Sequence, residues 1–234
     1  MSNALKKAVF NWSGGKDSAF ALWKILNQKE YSVETLLTSV NQKFNRISMH
    51  GVRRALLEEQ ARLVGFPLDL VLIPEEPSMS DYDNLMAGKL TTLKNSGIDY
   101  SIYGDIFLED LKKYREQRLN EVGMKAVFPI WKMDTREVVT QFIDLGFKAV
   151  VVSANARLLD KSFAGRVIDY DFLHDLPDEV DPCGENGEFH SFVFDGPIFN
   201  KPVDFKTGET ILKEYKTSDK WDSAFWYCDL VAKT

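Results

Sequence analysis

The sequence predicts an α/β fold built on a doubly wound parallel sheet, followed by a smaller C-terminal region that contains antiparallel strands. Three observations predict it. Short apolar runs alternate with segments of helical periodicity through the first 155 residues. A glycine-rich string, SGGKDS at 13–18, connects the first apolar run to the first helical segment. After residue 155 the composition shifts to Gly, Pro, Asp and aromatic residues, so we divide the chain into regions 1–155 and 156–234.

The first four elements alternate strand and helix. Residues 7–12 (KAVFNW) are mostly apolar and are bounded by glycines, which is typical of a buried strand. Residues 17–27 carry apolar side chains at helical spacing, and residues 34–40 (ETLLTSV) form a second strand. A second helix is predicted at 51–64 because its apolar residues share one face, and Gly65 ends it.

The alternation continues to residue 153. The next predicted elements are a strand at 68–73 (LDLVLI), a helix at 81–95, and strands at 99–103 and 126–130. Asp134 followed by Glu137 is a capping-box signature for a further helix, and residues 148–153 (KAVVVS) form the last strand of the series. Strands that alternate with helices favour a parallel sheet, whose ligands lie at the carboxyl ends of the strands.

The C-terminal region shows a different pattern. Phe189, Phe192 and Phe194 belong to one predicted antiparallel strand and residues 210–215 to another, with Gly208 as a turn. Four aromatic residues near the end are expected to pack within this region rather than to bind a ligand: Trp221, Phe225, Trp226 and Tyr227.

Composition limits the class of protein. The chain has 234 residues, 44% of them hydrophobic, which suffices for a real core. It has no apolar run long enough to span a membrane and no secretory signal, and Cys183 and Cys228 form no C-x-x-C motif, so we expect a soluble cytoplasmic protein without a membrane partner. The net charge of −6 divides into +1 for 1–155 (20 basic against 19 acidic) and −7 for 156–234 (9 against 16), which disfavours nucleic acid as a partner.

The string SGGKDS is the first candidate site. A Walker A loop requires Ser or Thr after Gly-Lys, whereas Asp17 follows Lys16 here, so an ordinary P-loop NTPase is not indicated. A loop that runs from a buried strand into a helix N-terminus favours an anion, because its N–H groups are unpaired. The candidates for phosphate binding are Ser13, Gly14, Gly15, Lys16 and Ser18. We assign Asp17 either to Mg²⁺ or to the helix cap, since a carboxylate beside an anion needs a cation between them.

This string resembles the PP-loop of the N-type ATP pyrophosphatase superfamily, whose members split ATP into AMP and pyrophosphate. The resemblance implies the adenine nucleotide alpha hydrolase-like (HUP-type) fold, with region 1–155 as the ATP-binding domain. Other strings resemble the diphthine-ammonia ligase family, and the resemblance extends from Val9 to about Phe199: His50-Gly51-Val52, Gly104-Asp105-Ile106, Pro129-Ile130-Trp131 and GENGEFH at 184–190. GENGEFH is the most specific of them.

The resemblance implies an ATP-dependent ligase with ATP and Mg²⁺ as cofactors. Such an enzyme adenylates a carboxylate and amidates it with ammonia, and the family's acceptor is diphthine on elongation factor 2. Lys16 would stabilise the leaving pyrophosphate, and Asp105 would be a catalytic carboxylate or, with Asp17, a metal ligand. Glu185 and Glu188 would orient ammonium, accept its proton or contact the substrate. Region 156–234 is then the substrate-binding part.

Several further residues have weaker assignments. His50 and Gly104 are expected near the nucleotide, and His190 is expected either to contact the substrate or to serve as hydrogen-bonded structure. A basic cluster is expected mainly to form a solvated helix face, with a role in binding an anionic partner or the substrate carboxylate as a minor alternative: Lys112, Lys113, Arg115 and Arg118.

Other functions stay open at this point. One is RNA thiolation with the same activation step and Cys183 as the sulfur carrier; another is a ligase for a different small carboxylate. A third is a non-enzymatic adenine-nucleotide binder that leaves ATP intact. The sequence leaves a monomer and a homo-oligomer equally open.

Overall fold

The computed structural model describes residues 4–47, 51–216 and 222–233 and places them in two sheets with flanking helices. In chain order the elements are β1 (Lys6–Asn11), α1 (Lys16–Gln28), β2 (Tyr31–Asn41), β3 (Arg46–Ile47), α2 (Arg54–Val64), β4 (Leu68–Ile73), α3 (Met79–Asn95), β5 (Tyr100–Ile102), α4 (Glu109–Glu121), β6 (Lys125–Val127), α5 (Thr135–Asp144), β7 (Lys148–Asn155), a 3₁₀ turn (Lys161–Phe163), α6 (Tyr170–Asp175), β8 (Phe189–Asp195), β9 (Phe205–Lys216) and β10 (Asp222–Ala232). Within these ranges, no helix has the length and apolar character needed to cross a membrane.

The first sheet, sheet A, is the predicted doubly wound parallel sheet. β1 pairs in parallel with β2 and β5, β2 pairs with β4, and β5 pairs with β6, while the two-residue β3 pairs antiparallel with the end of β2. Alternate side chains of β1 enter different cores: Phe10 packs with Phe20 of α1 and Leu56 of α2, and Val9 packs with Leu90 of α3 and Leu119 of α4. Helices therefore cover both faces, which confirms the predicted fold class.

The second sheet, sheet B, is antiparallel with the order β8-β7-β10-β9. The prediction that residues 148–153 form the last strand of the parallel series is wrong. These residues belong to β7, which pairs antiparallel with β8 and β10. The reason is physical: β7 is buried along nearly its whole length, and a continuous apolar run is the same pattern that a central parallel strand shows.

The prediction that Gly208 forms a turn is also wrong. It lies within β9 rather than in a turn, beside the point where the register between β9 and β10 shifts at Cys228 and Leu230. A Cβ at Gly208 would lie 3.3 Å from the Asp229 carbonyl oxygen, so the glycine permits close approach of the neighbouring strand. Trp221 lies outside the described residues, whereas Trp226 packs at the edge of the main core.

The two sheets share one hydrophobic core. Phe10 of β1 and Phe192 of β8 belong to the same buried cluster. Gln60 of α2, which is fully buried, adds a polar link: its Nε2 donates to the Gly14 carbonyl at 3.0 Å and to the Val193 carbonyl at 2.6 Å. Its Oε1 accepts from Trp12 Nε1 at 3.3 Å. The proposed domain boundary after residue 155 stays a prediction.

We expect Gln60→Met to lower the free energy of unfolding by about 1–3 kcal/mol, because it leaves buried polar groups of Trp12 and Val193 without this partner. Urea unfolding followed by circular dichroism measures the change. Gln117→Met is the matched control, since Gln117 lies exposed within helix α4. Equal stabilities of the two variants would contradict the role given to Gln60.

Candidate functional site

The loop between β1 and α1 has the geometry of an anion site. Gly14 has φ +76°, and a Cβ there would lie 2.5 Å from Gln60 Oε1, so the position requires glycine. Gly15 is the N-cap of α1 and has no side chain to cap the first turn, whereas the N–H of the first helical residue, Lys16, donates to Ser191 Oγ. The Ser13 hydroxyl donates to Ser18 Oγ at 3.0 Å and accepts from the Gly15 N–H at 3.2 Å. The loop thus presents a helix N-terminus to an anion.

Lys16 is almost completely buried beside this loop, with 2% of its surface exposed. Its Nζ lies 2.8 Å from both carboxylate oxygens of Asp17, donates to the Cys183 carbonyl and lies 5.5 Å from the centre of the Phe189 ring. Its backbone N–H donates to Ser191 Oγ at 3.1 Å. Burial is the largest single influence and opposes the charged form, but Asp17, Cys183 and Glu185 together outweigh it and raise the pKa of Lys16, so the ammonium stays charged.

The carboxyl end of β5 meets the start of α1. A Cβ at Gly104 would lie 3.0 Å from the backbone of Asp17 and Ser18, which explains the glycine. Asp105 comes next, and Arg115 of α4 binds it: Nη2 donates to Oδ1 at 3.1 Å, and Nε lies 2.7 Å from Oδ2 without an aligned hydrogen bond. Burial raises the pKa of Asp105 against the lowering effect of Arg115, and Asp17 raises it further.

Arg115 differs from the prediction that the basic cluster of this helix is a solvated face, because its side chain packs on a ring and pairs with a carboxylate. Its guanidinium lies 4.2 Å from the centre of the Tyr103 ring while it pairs with Asp105. The helical periodicity of 109–121 could not show this, because the partner carboxylate comes from a loop.

The segment 181–188 folds over Lys16 and is held by two of its own carboxylates. Asp181 Oδ1 accepts from the N–H groups of Cys183 and Glu185 at 2.9 and 3.2 Å. Glu188, only 3% exposed, accepts from the Asp181 N–H at 3.1 Å and from the N–H and side-chain amide of Asn186 at 2.9 and 3.0 Å. Its carboxylate is occupied by donors of its own segment, so we now favour a positioning role for Glu188 over the predicted catalytic one.

Glu185 is the carboxylate of this segment that faces the loop. Its Oε1 accepts from the Ile106 N–H at 3.0 Å, beside Asp105. Burial and then the negative charge of Asp17 raise the pKa of Glu185 to about 7, while the Ile106 N–H and Lys16 oppose that rise. The group therefore exchanges a proton near neutral pH, as a general base or acid requires.

Four of the predicted site residues come together: Lys16, Asp17, Asp105 and Glu185. Lys16 Nζ contacts Asp17, Gly104 packs against the backbone of Asp17 beside Asp105, and Glu185 accepts from the N–H that follows Asp105. His50 lies outside the described residues. His190 lies on β8 with its pKa lowered to about 4, by burial and then by Lys16. Sequence reasoning missed Gln60 and Ser191, for which a single sequence carries no signal.

Comparisons with known proteins show which family the chain is similar to. Residues 6–126 match the family model of the diphthamide synthase N-terminal domain, and residues 134–232 match that of the diphthamide synthase C-terminal domain. A diphthine–ammonia ligase of Danio rerio is 24% identical over 225 residues, which cover 86% of this chain and 86% of that protein. One of Schizosaccharomyces pombe is 26% identical over 101 residues, or 40% of this chain and 17% of that protein. One solved structure is the U34-tRNA thiolase NcsA from Methanococcus maripaludis with its 4Fe-4S cluster. It matches with a TM-score of 0.36 and 14% identity, and the match covers 62% of this chain and 58% of the thiolase chain.

We expect Glu185→Gln to raise the melting temperature at about pH 8 and to leave it unchanged at about pH 4. The folded pKa of Glu185, about 7, exceeds its ordinary value of 4.5, so the folded state binds the proton more tightly and loses stability as pH rises through that window. Thermal unfolding at both pH values measures this. Glu179→Gln, at an exposed position, is the control. A variant less stable than the wild type at the higher pH would refute the proposed burial effect.

Proposed function

This chain belongs to the diphthamide synthase family, and we propose from that membership that it is an ATP-dependent ligase that adenylates a carboxylate and amidates it with ammonia. The proposed acceptor is diphthine on elongation factor 2, as the names of the diphthine–ammonia ligases of zebrafish and fission yeast suggest. One observation carries the proposal: a buried lysine, a helix N-terminus and the carboxylates of Asp17, Asp105 and Glu185 converge at the carboxyl end of sheet A.

The phosphates of ATP would bind at the loop 13–18. The loop supplies the start of α1, whose N-cap is a glycine, together with the hydroxyls of Ser13 and Ser18 and the charge of Lys16. Charge stabilisation by preorganised groups is a large term in phosphoryl and adenylyl transfer, because these groups need no reorganisation as the negative charge develops. Lys16 is the residue to which we assign stabilisation of the leaving pyrophosphate.

Asp17 and Asp105 fit a Mg²⁺ ion. Burial and, to a smaller extent, the negative charge of Asp17 raise the pKa of Asp105, and a divalent cation held by the two carboxylates would favour its ionised form. Among the described residues, no group of three or more His, Cys, Asp or Glu side chains is arranged as a ready-made metal site. Mg²⁺ does not need one, because it is commonly held by one or two carboxylates together with substrate phosphates. When bound, it would neutralise charge on the phosphates.

The reaction proceeds in two steps, adenylation and amidation. The acceptor carboxylate attacks the α-phosphorus of ATP, a P–O bond forms, and pyrophosphate leaves. Ammonia then attacks the activated carbonyl, a C–N bond forms, AMP leaves, and the surplus proton passes to a base. We assign this base to Glu185, because its pKa of about 7 leaves it ionised above neutral pH and able to take the proton. Glu188 and Asp181 hold the segment that carries it.

The thiolation alternative is disfavoured by the environment of Cys183. The thiol is 2% exposed, donates to the Thr135 carbonyl at 3.1 Å, and has a pKa raised by burial. A sulfur carrier needs an accessible thiolate, whereas Cys183 is a buried, protonated thiol.

The first test identifies the nucleotide products formed from ATP and Mg²⁺ with ammonium and diphthine-bearing elongation factor. The wild type is expected to form AMP, pyrophosphate and amide, each dependent on the acceptor. Lys16→Met should lower the rate by about 10²–10³, since a charge that stabilises the leaving group is lost. Lys24→Met, on the same helix, is the control. ATP binding without AMP, for diphthine and for other carboxylates, would instead identify a nucleotide binder.

The second test is the pH dependence of amide formation at a fixed, limiting concentration of uncharged ammonia, because the deprotonated fraction of ammonium itself rises with pH. The wild-type rate should rise as pH passes through about 7, where Glu185 ionises. Glu185→Gln should lose this rise and run about 10²–10⁴ slower, because its amide cannot accept the proton. Glu179→Gln should keep both the rate and the profile. If Glu185→Gln retains the rise, another group is the base.

A further inference from the structure

A pocket of about 810 Å³ lies outside the loop 13–18, between sheet B and the end of β2. Sheet A contributes Asn41 from the carboxyl end of β2 and Ile73 from that of β4, and sheet B closes the opposite side. The pocket therefore opens at the edge of sheet A where ligands of such sheets bind, yet none of the assigned catalytic groups lines it.

Its sheet B side is formed by the paired strands β9 and β10. Alternate side chains of a strand share one face, and the register sets Ile211 opposite Tyr227 and Lys213 opposite Phe225. Three rings on this face, Tyr215, Phe225 and Tyr227, form what we call the aromatic wall. The ring centres lie 6.5 Å apart for Tyr215 and Phe225 and 6.2 Å apart for Phe225 and Tyr227, and the two tyrosine hydroxyls are 3.2 Å apart.

The aromatic wall already carries a cation. Lys213 Nζ lies 5.3 Å from the centre of the Tyr227 ring, which is the distance of a cation–π contact. The other charged groups that line the pocket add no excess positive charge: Arg46 pairs with Asp229 at 2.9 Å, and Glu209 is acidic. An organic cation is thus compatible with both the rings and the charge balance of the pocket.

His190 connects the pocket to the ATP loop. It lines the pocket, and its neighbour Ser191 accepts the hydrogen bond from the Lys16 N–H. Burial and the charge of Lys16 together lower the pKa of His190, so the imidazole stays neutral and Lys16 is close enough to affect it. A molecule that fills the pocket would therefore reach toward the loop at its His190 end.

We propose that this pocket is the acceptor site and that the aromatic wall binds an organic cation, of the quaternary ammonium class, on the acceptor side chain. Diphthine has this chemistry, since it carries a trimethylated nitrogen beside the carboxylate to be amidated. The inference rests on the proposed function for the identity of the acceptor. It replaces the expectation that Phe225 and Tyr227 serve packing alone.

Binding of choline tests the chemistry of the pocket without turnover. Choline is expected to perturb the ring resonances of the aromatic wall by NMR, and its neutral carbon isostere dimethylbutanol is expected to bind about twofold to thirtyfold more weakly. Lys213→Met should strengthen choline binding, because it removes the resident cation from Tyr227. Equal binding of the two probes, or no effect of Lys213→Met, would overturn the assignment of a cation site even if the ligase activity is established.

Turnover tests the assignment to the acceptor. Tyr227→Leu should raise KM for diphthine-bearing elongation factor about twofold to thirtyfold and leave KM for ATP unchanged, whereas Tyr227→Phe, which keeps the ring, should stay near the wild type. A rise in KM for ATP alone would show that the pocket holds adenosine and would refute the proposal. If the wild type makes no AMP with diphthine, the proposed function fails, and the choline result still decides whether the pocket binds cations.

Discussion

The buried ammonium of Lys16 is the constraint on which the rest of the site depends. A charge without water must be paired and hydrogen-bonded, or its burial costs several kcal/mol. Asp17 supplies the counter-charge and the Cys183 carbonyl supplies an acceptor. Asp181 and Glu188 fix the backbone of 181–188 and so hold that carbonyl in place. A segment far along the chain therefore supplies the acceptor for the Lys16 ammonium.

The same crowding of charge acts together with burial on the ionisation of the neighbouring carboxylates. Asp17 stabilises the charge on Lys16 and at the same time disfavours the ionised forms of Asp105 and Glu185. A carboxylate whose pKa is raised in the folded state lowers stability as the pH rises from its ordinary pKa through the raised one, and shifted pKa values of this kind cluster at functional sites. Arg115 partly offsets the rise in the pKa of Asp105. For Glu185, the hydrogen bond from the Ile106 N–H is the main interaction that offsets the rise in its pKa.

Much of this arrangement could be predicted from local sequence. The loop 13–18, the helix after it and the strand at 68–73 follow from patterns within a few residues, and Asp134 does cap α5 by accepting from the Glu137 N–H. The sheet to which β7 belongs could not be predicted, because a fully apolar strand has the same periodicity in either sheet. The roles of Gln60 and Arg115 depend on pairings across 46 and 10 residues that no local pattern encodes.

The long-range contacts of the loop 13–18 are completed late when the protein is synthesised. Lys16 contacts a carbonyl 167 residues further along the chain, and the Gly14 carbonyl accepts from the Val193 N–H at 2.9 Å. During synthesis the strand, glycines and first helix emerge early, but Cys183 and Ser191, which contact Lys16, and Val193, which contacts Gly14, emerge much later. A loop encoded near the start of the chain therefore gains the contacts that enclose Lys16 late in translation, and the nascent N-terminal half lacks them.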